Sequence, residues 1–303
     1  MSKGVLLVDS ASQYYRAFHG VPSSVRAPDG SPVNAVRGFY AGLTRLIETT
    51  GLSRLVLAWD DDWRPAFRTN LIPEYKLHRV AADGTEETPP ELGSQVELIA
   101  ALAQAMGIAR IGVPGFEADD VIATIAAAEP GPAVVVTGDR DLFQVIDDQR
   151  DVKIWYTGRG SPDPIGGPEV LSRYGVRADQ YADFAILRGD PSDGLPGVKG
   201  IGEKSAAGLL AKFGDLAGVT AAAADPTSAM SAGVRQALLG SADYLERAVA
   251  VVRVRVDVPL PHYSDGLSSE VRDPDSMARL TARTGLANTF ERWRSVVAQA
   301  TAE

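Results

Sequence analysis

The stretch Ala133–Gln144, AVVVTGDRDLFQ, decides the fold: an apolar run of Ala133, Val134, Val135 and Val136 passes through Thr137 and Gly138 into two aspartates, Asp139 and Asp141. A short, unbroken apolar run bounded by glycine and acids reads as a strand buried on both faces, as in parallel sheets covered by helices. Working outward, three similar runs lie at Val5–Val8, Leu55–Trp59 and Ile108–Val113. Helical spacing fills the intervals, with Val36, Phe39, Leu43, Leu46 and Ile47 inside 34–49 and Leu92, Val96, Ile99, Leu102 and Met106 inside 91–106. Thr88, Pro89, Pro90 and Glu91 predict a capping box with proline at the first helical position. Strands separated by helices predict an α/β fold with a parallel, doubly wound sheet, its ligand crevice beyond the carboxyl ends of the strands.

The 303 residues are 45% hydrophobic and 23% charged, which excludes disorder or a fibrous state. No apolar run approaches the ~18 residues of a membrane span, and the apolar part of MSKGVLLVDS is too short for a secretory signal, so a cytoplasmic protein with no membrane partner is expected. The absence of cysteine removes disulfides, thiolate metal sites and cysteine nucleophiles. With only His19, His78 and His262, any metal is expected to be held by oxygen.

Strand signals fade after residue 167 and short helical patterns follow at 168–174, 178–188, 203–213 and 242–252, predicting a core over 1–167 and a mainly helical region over 168–303. Within the core, 63–88 breaks the pattern: it carries Arg64, Arg68, Lys76, His78 and Arg79 with Phe67 and Tyr75 among them, then Ala81, Ala82, Asp83 and Gly84. A connection of that length inside a compact domain is usually functional or mobile.

The acids follow the strands. Asp9 ends the first, Asp60 the second; Glu117, Asp119 and Asp120 follow the third in PGFEADDVIA, and Asp139 and Asp141 the fourth, so all seven project from one sheet edge. Asp190 and Asp193, in LRGDPSDGLPG, are placed to fold back onto it. Singly, each has an ordinary explanation, as a helix cap or a turn residue. Together they do not: two carboxylates ~4 Å apart repel by about 4 kcal/mol at an effective dielectric near 20, so the set requires cations. All-oxygen ligation selects Mg²⁺ or Mn²⁺, and this many ligands suits two ions about 3.5–4 Å apart, the arrangement used in phosphodiester hydrolysis. The formal charge of −9 agrees, because setting nine site acids aside leaves 30 acidic residues against 30 basic ones.

A second phosphate reader is expected at Gly197, Val198, Lys199, Gly200, Ile201, Gly202, Glu203, Lys204, Ser205, Ala206, a tight hairpin running into a helix whose free N–H groups suit a duplex phosphate. It is neither a P-loop nor a dinucleotide fingerprint, since Glu203 separates Gly202 from Lys204 and Ser205 stands where the third glycine belongs.

Taken in order, LLVDS, EADD, TGDRDLFQ and GDPSDGLPGVKGIGEKSA resemble the 5′ nucleases, both the amino-terminal nuclease domain of bacterial DNA polymerase I and stand-alone flap endonucleases. The resemblance spans nearly the whole chain. It implies a PIN-like core, a metal-dependent enzyme cutting DNA or RNA at 5′ flaps, nicks and RNA primers, and a helix-hairpin-helix region (about 178–213) with a bound K⁺ gripping the duplex. It also implies that 63–90 forms a helical arch threaded by the single-stranded 5′ end. Carried over by matching position, Asp9, Asp60, Glu117, Asp119, Asp120, Asp139, Asp141, Asp190 and Asp193 are metal ligands, direct or through water, and Arg16, Lys76 and Arg79 face the scissile phosphate. Arg64, Arg68 and Tyr75 become nucleic-acid contacts, Tyr75 by stacking on a displaced base. Asp60, Asp61 and Asp62 compete for one ligand position, Asp60 being preferred because it directly follows the strand. Gly194 stands where the family usually has asparagine, implying a looser loop. With no polymerase region in the sequence, a free-standing nuclease is expected, monomeric by default; whether a DNA polymerase or sliding clamp is a partner stays open. On this reading Asp120→Asn abolishes cleavage and spares flap binding.

Two other assignments compete. Asp60-Asp61-Asp62 after a strand has the D-x-D pattern of haloacid-dehalogenase-like phosphatases, though Trp63 and the unexplained EADD and GDRD weigh against it. A flap-binding module without turnover is opposed by the complete acid set.

Overall fold

The computed structural model describes residues 4–158 and 163–302. Five parallel strands, β1 (Val5–Asp9), β2 (Leu55–Ala58), β3 (Ala109–Ile111), β4 (Ala133–Thr137) and β5 (Val152–Tyr156), form one sheet in the order β3-β2-β1-β4-β5. Leu6 pairs with Leu55 and Val134, Val8 with Leu57 and Val136, and Thr137 with Tyr156, so the strands end nearly level. The chain leaves β1 toward β2 and β3 and returns to β4 and β5 on the other side, which opens a crevice at the carboxyl ends between β1 and β4.

The helices in the first half are α1 (Ser10–Gly20), α2 (Asn34–Thr50), α3 (Ala66–Thr69), α4 (Gly93–Met106) and α5 (Ala118–Ala128). In the second half come α6 (Gly167–Tyr174), α7 (Tyr181–Arg188), α8 (Glu203–Phe213), α9 (Leu216–Ala224), α10 (Ala232–Leu239), α11 (Ala242–Val252), α12 (Pro274–Thr284) and α13 (Ala287–Ala302). Among the described residues no single helix is long and apolar enough to cross a membrane. Because neighbouring strand residues face opposite ways, β1 feeds two cores. Val5 and Leu7 pack with α5, α7, α8 and α11, whereas Leu6 and Val8 pack with α2, α4 and α13. The last helix therefore completes the first core region: Phe290 and Trp293 of α13 meet the buried ring of Tyr40 at centroid distances of 5.3 and 6.1 Å.

Three expectations need correction. Four strands are expected and the sheet has a fifth: β5 alternates, with Val152, Ile154 and Tyr156 buried and Lys153 and Trp155 half-buried, and carries no continuous apolar run to mark it. The capping box at 88–91 does not form: α4 starts at Gly93 after Leu92, and the Thr88 hydroxyl is hydrogen-bonded to Tyr15 instead. The 63–90 segment is no arch of long helices. It holds the one-turn α3 and a 3₁₀ turn at Leu77–Arg79, because Pro65, Pro73, Gly84, Pro89 and Pro90 interrupt every longer helical register.

That segment docks on the 190–195 loop. Lys76 N–H donates to the Asp193 carbonyl at 2.9 Å, and Gly194, at φ +72°, lies so close that a Cβ would sit 2.4 Å from the Glu74 carbonyl oxygen. Glycine here tightens the loop against its neighbour, contrary to the looser loop inferred from the missing asparagine. Gly194→Ala must push residues 74–76 away, and an expected loss of about 1–2 kcal/mol, read from urea denaturation midpoints, accompanies a fall in catalytic rate.

Candidate active site

Each strand end contributes to one crevice of about 600 Å³, lined by Asp9, Asp60, Glu117, Asp119, Asp139 and Asp190. Asp9 caps α1, accepting from Ser12 N–H (3.1 Å), and its other oxygen accepts from the Thr137 hydroxyl of β4 (2.7 Å). Asp60 is fixed by Ala118 N–H at 2.8 Å, which ties the end of β2 to the start of α5. Asp61 and Asp62 stand outside the crevice, Asp61 near Arg110 (3.9 Å) and Asp62 accepting from Arg64 N–H. The D-x-D pattern therefore does not converge on one point. Asp139 follows β4 and braces Asp141 N–H, while Asp190 accepts from Ser192 and from Arg188.

The electrostatics are those of crowded anions. Burial first, and Asp60 second, push Asp9 up to about 7. Burial, with Asp139 and Asp9 adding to it, holds Asp119 well above the ordinary carboxylate range, and burial with Asp139 and Asp193 does the same for Asp141. Asp193 is pushed up to about 6, mainly by burial. Asp141 keeps one buried carboxylate oxygen without a hydrogen-bond partner. Among the described residues, no group of three acids is drawn together tightly enough to hold an ion as it stands. The donor set nevertheless fits hard divalent cations: only oxygens, many of them, and an excess of negative charge that burial penalises.

Lys76 supplies cationic relief. In the left-handed region at φ 50°, a conformation that costs a non-glycine residue about 1–3 kcal/mol, it sends its buried ammonium to Glu117 Oε2. Tyr75 also reaches Glu117 through its hydroxyl (2.9 Å), and Arg79 donates to the Ser192 carbonyl (2.8 Å) and to Asp193 (3.2 Å).

Several predicted site residues do other work. Asp120 is fully buried and gripped by both terminal nitrogens of Arg68, each at 2.7 Å, and by Arg255 N–H at 2.8 Å. It also closes a capping box with Glu117 at the start of α5. Asp120 is thus a structural anchor with no line to the crevice, and the expected catalytic effect of Asp120→Asn is replaced by a folding one. Arg68, 2% exposed, binds Asp120, Glu117 and the Val251 carbonyl at the end of α11, and cannot meet nucleic acid. Burial opposes its charge, but Glu117 and Asp120 more than offset that and raise its pKa. Tyr75 is buried on Glu117 and cannot stack on a base. Arg64 is spent on the Pro73 and Tyr75 carbonyls, and Arg16, which does not line the crevice, donates to the Thr157 carbonyl. Glu86 and Arg140 line the crevice and were missed; Glu86 sits in a polar run without a motif, whereas Arg140 stands between two quoted aspartates.

The hairpin divides in the same way. Val198 and Ile201 are buried, Val198 N–H donates to Leu187, Ile201 N–H to Val198, and Gly197 N–H to the Tyr244 hydroxyl, so these three staple the turn to the core. Exposed Lys199, Gly200, Gly202, Lys204 and Ser205 surround the start of α8, whose N-cap Gly202 provides no side-chain cap.

Two family models match end to end: the 5′-3′ exonuclease N-terminal resolvase-like domain over residues 4–175 and the 5′-3′ exonuclease C-terminal SAM fold over 176–275. This chain belongs to the 5′-3′ exonuclease family. A 5′-3′ exonuclease of Streptomyces coelicolor is 49% identical over 294 residues, covering 95% of this chain and 98% of the relative. One from Mycobacterium tuberculosis is 47% identical over 308 residues, covering 96% and 97%. In fold the chain is similar to the bacteriophage T5 flap endonuclease solved with DNA and metal ions (TM-score 0.65, 16% identity, 99% and 100% covered). It is also similar in fold to the catalytic core of Rad2 with DNA substrate (TM-score 0.61, 18% identity, 98% and 93% covered).

Two outcomes follow from this geometry. Asp120→Asn strips one charge from a buried pair and should cost about 3–5 kcal/mol of stability, read from denaturant midpoints. Asp9 and Asp193 hold protons in the folded chain that the unfolded chain, with an ordinary value of 3.8, has released. Without divalent ions, stability should therefore fall as pH rises from about 4 to about 7. Mg²⁺ favours the ionised acids, so calorimetry should show a larger Mg²⁺-induced rise in Tm near pH 7.5 than near pH 5.

Proposed function

We propose that this exonuclease is a divalent-metal-dependent 5′ nuclease that hydrolyses phosphodiesters at 5′ flaps, nicks and RNA primers during replication and repair. The observation that carries the proposal is the gathering of seven carboxylates, Glu86 among them, from distant parts of the chain around one crevice, with Lys76 and Arg79 on its wall. When bound by these acids, Mg²⁺ or Mn²⁺ would supply an activated water and stabilise charge on the leaving oxygen. Asp9, Asp60, Glu117, Asp119, Asp139 and Asp190 would hold the ions, with Asp141 and Asp193 behind them acting through water.

Lys76 and Arg79, on the 63–90 segment, orient the phosphate and balance its developing charge. Duplex DNA lies against the start of α8, where backbone N–H groups, Lys199, Lys204 and Ser205 take a backbone phosphate and fix register without reading sequence. A K⁺ ion at this hairpin and a cytoplasmic location belong to the same proposal. The binding of DNA and metal ions by the bacteriophage T5 flap endonuclease, whose fold this chain shares, supports it.

Asp119 is the diagnostic acid, because it lines the crevice and its carboxylate makes no hydrogen bond among the described residues. A labelled 5′-flap duplex should be cut at the flap base with Mg²⁺ or Mn²⁺ and left intact with EDTA. Asp119→Ala should lower the rate by on the order of 100-fold or more with flap binding retained. Flap binding without cuts under either ion would instead indicate a binding module.

A further inference from the structure

Among the described residues, Arg140 is the crevice cation whose side chain the fold leaves unspent. Among the described residues, three basic side chains line the crevice: Lys76, Arg79 and Arg140. Lys76 is paired with Glu117, and Arg79 with Asp193 and the Ser192 carbonyl. Arg140 is half-buried, and although its carbonyl accepts from Phe143 N–H, its guanidinium makes no hydrogen bond or ion pair among the described residues. The neighbouring carboxylates already have donors: Asp139 receives Asp141 N–H, and Asp190 receives Ser192 and Arg188. A guanidinium has five N–H donors and no acceptor, and a partly desolvated one without an acceptor is unfavourably placed. The group it matches best is a planar or tetrahedral oxyanion able to take two parallel N–H bonds, above all a phosphate.

Position specifies which phosphate. Lys76 and Arg79 belong to the segment that follows β2, whereas Arg140 follows β4 and lies near Tyr156 at the end of β5; in the sheet β1, ending in Asp9, runs between β2 and β4. A polynucleotide laid across the acids meets cations on both sides. We propose that Arg140 binds a non-scissile backbone phosphate of the cleaved strand, next to the bond that is cut, and so sets the register in which that strand crosses the acids. The proposal rests on the nuclease function set out above. Arg140 makes this contact before and during the reaction, so it contributes to binding more than to the chemical step.

The test uses the full chain and 5′-flap duplexes in which single phosphates near the cut are replaced, one at a time, by neutral methylphosphonates. Affinity is measured by fluorescence anisotropy in Ca²⁺, and cleavage separately in Mg²⁺. Arg140→Gln is expected to weaken flap binding roughly 10- to 100-fold and to lower the slope of log K against log salt by about one, with kcat falling less than affinity as the strand loses its register. One methylphosphonate position that weakens wild-type binding should have no further effect in Arg140→Gln, the non-additive signature of a direct contact. Arg140→Lys, which keeps charge and fold but loses the fork, should retain sensitivity at that position. Wild-type affinity in Arg140→Gln, or methylphosphonate penalties that add independently at every position, would overturn the proposal. A wild-type chain that binds flaps but never cuts them would sink the nuclease function, while the binding data would still decide the role of Arg140.

Discussion

Mutual repulsion of carboxylates is the constraint around which this molecule is arranged. Acids share one crevice because parallel strands deliver their carboxyl ends to the same edge and the 190–195 loop adds Asp190, and most of them are held in place by a bond to something rigid. Thr137 and Ser12 hold Asp9, Ala118 holds Asp60, and Lys76 with Tyr75 holds Glu117. The resulting strain is visible in the backbone of Lys76 and in the elevated proton affinity of Asp9, Asp119 and Asp141. Such a site is poised to accept hard cations, since binding them relieves what the fold alone cannot.

A single buried cation secures the frame around that site. Arg68 joins the start of the 63–90 segment to Glu117 and Asp120 of α5 and to the end of α11. The acid helix, the segment carrying Lys76 and Arg79, and the region carrying the hairpin therefore meet at one guanidinium. Displacing any of the three alters the position of Glu117, a crevice ligand candidate, so the duplex-facing and cleaving parts share a mechanical joint.

How much of this the sequence disclosed depended on the kind of signal. β1, β2 and β4 are buried on both faces and stand out as apolar runs; β5 alternates and its pattern is weaker. The acids at strand ends were legible because parallel topology leaves them little freedom of direction. Asp119 and Asp120 mark the limit: consecutive helical residues point about 100° apart, and nothing in EADD says which one faces the crevice. Arg68 and Tyr75 looked like exposed nucleic-acid contacts because a basic, aromatic-bearing segment has the same composition whether it faces solvent or a buried carboxylate. The partners that decide the matter, Asp120 for Arg68 and Glu117 for Tyr75, lie 52 and 42 residues away.

The return of α13 to pack on α2 bears on how the chain acquires its shape. Phe290 and Trp293 close over Tyr40, so one face of the central sheet is sealed by residues some 250 positions downstream. Contacts so distant in sequence slow folding, because the entropy of closing the loop is lost before the contact is gained. During synthesis the sheet and α2 emerge early with an apolar face uncovered until the last helix leaves the ribosome. A nascent chain in that state is an aggregation-prone species and a natural client for chaperones, and the nuclease core becomes complete only once α13 has been made.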